Sequence, residues 1–129
     1  MEKGTSVKKK IRIGNAGGYW GDDLDALRKV GRAFLDARDP HAARLVLSHS
    51  AEAGGGAEDL NMLGIACHQA GDTAGALDAF RRARDAGSVS AVYNLATMAE
   101  EMGLDEMAEE LRDEAPRKPD GLLLRKGGA

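Results

Sequence analysis

Apolar residues recur at helical spacing from Leu24 to Ala115, broken at short intervals by glycine, aspartate or proline. In the middle of the chain, Leu60, Leu63, Ile65, Ala66 and Cys67 mark a helix over about Ala57 to Ala70. Gly71-Asp72 ends it, because glycine reaches the left-handed conformation at no steric cost. Ala76, Leu77, Phe80 and Ala83 stripe a second helix, about Thr73 to Ala86, with Arg81, Arg82, Arg84 and Asp85 facing water and Gly87-Ser88 stopping it. Together they predict a tight helical hairpin. Gly64 sits inside the first helix, where it costs roughly 1 kcal/mol relative to alanine. It predicts a helix crossing too close for a Cβ, with Ala76 facing it.

The same pattern appears before and after. Leu24, Leu27, Val30, Gly31 and Phe34 mark one helix, and Ala42, Ala43, Val46, Leu47 and Ser50 the next. Asp39-Pro40 lies between them, proline suiting a first helical turn, and Gly54 to Gly56 close the unit. A shift of 33 carries Val30, Gly31, Phe34, Ala43, Leu47 and Ser50 onto Leu63, Gly64, Cys67, Ala76, Phe80 and Ala83. A further shift of 32 carries Leu63, Gly64, Cys67, Ala76 and Ala83 onto Leu95, Ala96, Ala99, Ala108 and Ala115. Phe80 lands on Arg112, with Leu111 beside it as substitute, and Gly103 takes the turn. In the last helix, Met107, Ala108, Leu111 and Ala115 form one stripe among acidic residues, the polar outer side that the end of a stack requires.

The hairpin resembles a tetratricopeptide repeat, through Leu60, Leu63, Gly64, Cys67, Ala76, Phe80 and Ala83. Leu60 stands where the family usually has tryptophan, and Ser88 where it has its closing proline. Ala91-Val-Tyr-Asn-Leu-Ala resembles the Sel1-like relatives. The expectation is an all-α fold: a right-handed solenoid of three stacked hairpins (22–56, 57–90 and 91–115), with a loosely ordered basic, glycine-rich leader (1–21) and a flexible basic tail (116–129). Leu122 to Leu124 are expected to fold back on the stack or stay loose.

The resemblance implies that the first helix of each hairpin lines a concave groove. Its exposed positions in the repeat register are Arg28, Arg32 and Asp36, then Asn61, Ile65, His68 and Gln69, then Tyr93, Asn94, Thr97, Glu100 and Glu101. Arg28 and Arg32, four apart, suit a shared carboxylate; Asn61 and Asn94 suit a peptide backbone. The family's carboxylate clamp also needs basic residues in the third unit, where this chain has Ser90 and Asn94. The function expected is therefore a protein-interaction module that binds a peptide segment or partner helix without catalysis.

Composition narrows this further. Aromatic residues are 4% of the chain, which suits helices packed through small residues. One cysteine allows no intrachain disulfide and fits a reducing cytoplasm, and no apolar run reaches the roughly 20 residues of a membrane span. Residues 1–20 carry a net +4, residues 21–115 a net −10 and residues 116–129 a net +3. An acidic body with basic ends argues against a nucleic-acid-binding domain, which concentrates lysine and arginine on a folded face.

Other chemistry is thinly supported. Gly14 to Gly21 form a glycine-rich loop before a helix start, but without G-x-G-x-x-G or Gly-Lys-Ser/Thr, and Asp22 and Asp23 would repel an anion. His41 and His49 are too far apart for a helical metal pair, and Cys67 reads as a small packing residue. No cofactor or metal is expected. Ile11 to Val30 also resemble the amino-terminal opening of acyclic terpene utilisation proteins, which makes an accessory subunit or remnant of such an enzyme the alternative reading. A third is an adaptor that binds nucleic acid or membrane through the basic ends, marked by salt-sensitive binding.

Overall fold

The computed structural model describes residues 23–125. The leader, the glycine-rich loop and most of the stretch similar to terpene utilisation proteins lie outside them. The described chain is all-helical: α1 (Leu24–Asp36), α2 (Pro40–Ser50), α3 (Ala57–Gln69), α4 (Thr73–Asp85), α5 (Val89–Glu101) and α6 (Asp105–Glu114). Each helix packs on its neighbours in the chain, and α1 also meets α3.

One local device makes four of the five connections short. The residue two past the first helix's cap returns its N–H to the last turn: Asp39 to Phe34 O at 2.9 Å, Asp72 to Cys67 O at 2.9 Å, Ser88 to Ala83 O at 2.8 Å and Leu104 to Ala99 O at 2.8 Å. That same residue is the N-cap of the next helix. Asp39, Asp72 and Ser88 accept from the N–H three positions on, at 3.3, 2.9 and 3.0 Å. One side chain and one amide thus satisfy groups at two helix ends. The residue before each cap is left-handed, and glycine supplies it at Gly71, Gly87 and Gly103; Arg38 does so at φ 60°.

Between α2 and α3 the chain makes one wide π-helical turn, Ala51–Gly55. Here the glycine run does more than stop a helix, because a Cβ on Gly55 would collide with the Asp59 carboxylate.

The core is built on two equivalent close approaches. A Cβ on Gly64 would stand 2.5 Å from the Phe80 ring, and one on Gly31 2.5 Å from Leu47 Cδ2. The residue that fills the space over Gly64 is therefore Phe80, not the expected Ala76, although Ala76 is fully buried nearby. In the third hairpin Ala96 has a Cβ of its own. The position opposite carries Arg112, which leaves the core for Glu100 at 2.8 Å, and Leu111 packs there instead. Met107 does not join the buried stripe of α6; it is 51% exposed.

Of the two arrangements expected for Leu122 to Leu124, the structure shows the fold-back onto the stack. Residues 115–125 have no helix or strand, yet they fold back over α3 and α5, where Leu122 and Leu124 pack against the main core.

Candidate functional site

Asn61 on α3 and Asn94 on α5 share a face and meet: Asn94 Nδ2 donates to Asn61 Oδ1 at 2.8 Å. Both side chains then take hold of one main-chain carbonyl. Asn61 Nδ2 and Asn94 Nδ2 donate to Leu122 O at 3.0 and 3.1 Å. Asn94 Oδ1 accepts from the Leu124 N–H at 2.8 Å. An amide offers a donor and an acceptor side by side, so Asn94 pairs with C=O of one residue and N–H of the second one on, as a neighbouring strand would.

One turn back on α5, Ser90 Oγ accepts from the Asp120 and Gly121 N–H groups at 3.0 and 2.5 Å, and donates to Asp120 Oδ1 at 3.3 Å. Tyr93 Oη donates to Arg117 O at 3.2 Å. The segment bends at Gly121 and has no turn or bend from Leu122 to Arg125. Leu122 and Leu124 are half-buried, while Leu123, between them, is 44% exposed. Asn61, Ile65 and Asn94, expected as open groove positions, are buried. The Asp120 carboxylate is held below the usual aspartate range by the Arg117 guanidinium at 3.1 Å, with Ser90 adding to it.

Beyond the asparagines the face opens into a cavity of about 440 Å³, lined by Arg32, Leu35, Asp36, Ile65, His68, Gln69 and the run Leu122 to Arg125. His68 Nε2 lies 2.9 Å from Glu101 Oε1, linking α3 to α5. Arg32 pairs with Asp36 at 3.5 Å. Gln69 Nε2 donates to Leu35 O at 3.4 Å; its Oε1 is buried with no hydrogen-bond partner among the described residues.

Three of the expected groove residues turn elsewhere. Arg28 does not join Arg32. Its Nε donates to the fully buried Asp59 at 2.5 Å, with Asp25 at 3.3 Å and Glu58 at 3.9 Å nearby. Ser50 Oγ also donates to Asp59. The Asp59 hydrogen bond raises the Arg28 pKa further above its ordinary value, despite partial desolvation. Thr97 Oγ1 donates to Tyr93 O of its own helix at 3.1 Å, and Glu100 pairs with Arg112 of α6.

Ser90 is the contact that the groove register omits. Its signal was its place four residues before Asn94, on the same helix face. Asp59 had no comparable signal, since an acid in a first helical turn is usually solvated.

Cys67 is buried, and that burial pushes its thiol pKa up, so it is poorly poised as a nucleophile. Among the described residues no group of three or more histidine, cysteine, aspartate or glutamate side chains could hold a metal ion. No helix among them is long and apolar enough to cross a membrane. The chain matches no family model, and no curated protein or solved structure shows significant similarity to it.

Proposed function

We propose that this chain is a tetratricopeptide-like, Sel1-like helical-repeat module. Its hairpins stack as a right-handed solenoid, and the face formed by α1, α3 and α5 binds an extended segment of a partner protein. It acts by binding and does no chemistry. The observation that carries this reading is the Asn61–Asn94 pair, whose amides converge on a single backbone carbonyl and continue onto the Leu124 amide. Burying asparagine amides is costly unless their donors and acceptors are met. Two of them side by side on the first helices of successive hairpins make a surface suited to main chain rather than to one side chain. The sign gradient, basic Arg32 at one end and acidic Glu101 at the other, would set the direction of the bound segment.

The test is a phage-displayed peptide selection on the full-length protein, followed by affinity measurement on the Asn61→Ala/Asn94→Ala protein, with circular dichroism confirming its fold. Peptides that bind the wild type and lose about tenfold or more on the double variant are expected, the loss of one to two backbone hydrogen bonds. Selection that yields no binder, or binders indifferent to both asparagines, ends this reading.

A further inference from the structure

The segment over α3 and α5 is gripped mainly by its main chain. Ser90, Tyr93, Asn61 and Asn94 reach backbone groups of Arg117, Asp120, Gly121, Leu122 and Leu124. Those groups are common to any extended chain, so they do not favour this occupant over another of like shape. The side-chain demands are few. A Cβ on Gly121 would lie 3.2 Å from Ser90 Oγ, closer than ordinary contact, and the next residue and the third residue must be apolar to replace Leu122 and Leu124. The segment has no secondary structure of its own. Among the described residues, a cavity lies beside Arg125 and Gln69 Oε1 has no donor.

We propose that residues 119–125 are a built-in competitor for this face, standing in for a partner protein's extended segment with glycine opposite Ser90 and leucine-like side chains one and three positions later. The inference rests on the peptide-binding reading above and adds to it the pattern of the partner and a displacement step. A tethered segment acts at an effective concentration in the millimolar range. An incoming chain therefore meets a face that is free only part of the time, and its apparent affinity falls by that fraction. The partner prevails by reaching further, into the cavity beside Arg32 and His68.

The experiment uses a fluorescent synthetic peptide of residues 116–125 and reads anisotropy against the full-length chain. Leu122→Asp/Leu124→Asp frees the face. This chain should bind the probe at least about tenfold more tightly than the wild type does. A probe carrying Gly121→Val should bind it at least about tenfold more weakly, and adding Asn94→Ala to the host should abolish binding. Equal binding to wild type and freed chain, or a Gly121→Val probe as good as the original, overturns the proposal. Should the freed chain lose its helical circular dichroism, a wild-type chain with a protease site inserted between Ala115 and Pro116 replaces it. Uptake of probe after cleavage supports the competitor; a cleaved segment that never exchanges overturns it. A concentration-dependent dimer, lost in Leu122→Asp/Leu124→Asp, would assign the face to a second copy and overturn the foreign partner. None of these failures removes library peptides that depend on Asn61 and Asn94, so the broader reading is judged separately.

Discussion

Asn61 and Asn94 lie 33 positions apart in the chain, touch through one 2.8 Å hydrogen bond, and donate together to the Leu122 carbonyl. The pair is fully buried, so each lost contact leaves a polar group without water.

Asn94→Ala removes the bonds to Asn61, Leu122 and Leu124 at once. It is expected to destabilise the chain by about 1–3 kcal/mol, more than Asn61→Ala, in urea denaturation. The double variant should cost less than the sum, with a coupling of about 0.5 kcal/mol or more. Amide exchange at Leu124 should quicken in Asn94→Ala. An additive pair with unchanged Leu124 protection would show that the two side chains do not act together.

Gly64→Ala sets helix propensity against packing. Alanine gains about 1 kcal/mol in a helix interior. Its Cβ would, however, stand 2.5 Å from a Phe80 ring that is wholly buried. Overpacking of this kind costs about 1–3 kcal/mol, so a net loss is expected in thermal unfolding, eased in Gly64→Ala/Phe80→Leu. A more stable Gly64→Ala protein would contradict the close approach.

Arg28→Ala strips the guanidinium from a carboxylate that is 0% exposed. Breaking such a pair costs about 3–5 kcal/mol, because the remaining charge is buried with only the Ser50 hydroxyl to meet it. Arg28→Glu should be worse still. Arg32, by contrast, lies on the cavity with its side chain 52% exposed, so reversing its charge probes the groove without touching the core. Arg32→Glu should leave unfolding by urea within about 0.5 kcal/mol of wild type.

Asp120 couples the docked segment to pH. Its pKa is lowered, first by Arg117 of the same segment and then by Ser90 of α5, and only the Ser90 contact is lost on undocking. To the extent that Ser90 lowers it, the carboxylate favours docking fully above the free segment's pKa and loses that contribution as pH falls through the docked value. The Gly121 amide resonance should shift towards its undocked position over that acidic range. Asp120→Asn should flatten the profile, and an unaltered profile in that variant would assign the transition to another group.

Much of this architecture was legible from local chemistry. Gly71-Asp72 and Gly87-Ser88 mark their turns because a left-handed glycine and a capping side chain are properties of adjacent residues. The helix bounds over 57–86 follow from them to within one residue. The repeat register likewise places Asn61, Tyr93 and Asn94 on the groove face before any contact is known. The choice of Phe80 over Ala76 above Gly64 was not legible. It depends on how far a ring reaches from the next helix, which spacing along the chain does not encode. The same holds for Arg28, whose stem swings to Asp59 because a buried carboxylate outcompetes solvent for it.

The sequence by itself determined an all-helical chain, its turns, and the repeated close-packed positions, since these depend on side chains within a few residues of each other. Only the tertiary structure decided where Arg28 points and what lies on the asparagines. Both are set by free energies of desolvation that exist once distant segments meet: a buried charge draws in its counterion, and two buried amides draw in an extended backbone, here that of Leu122 to Leu124.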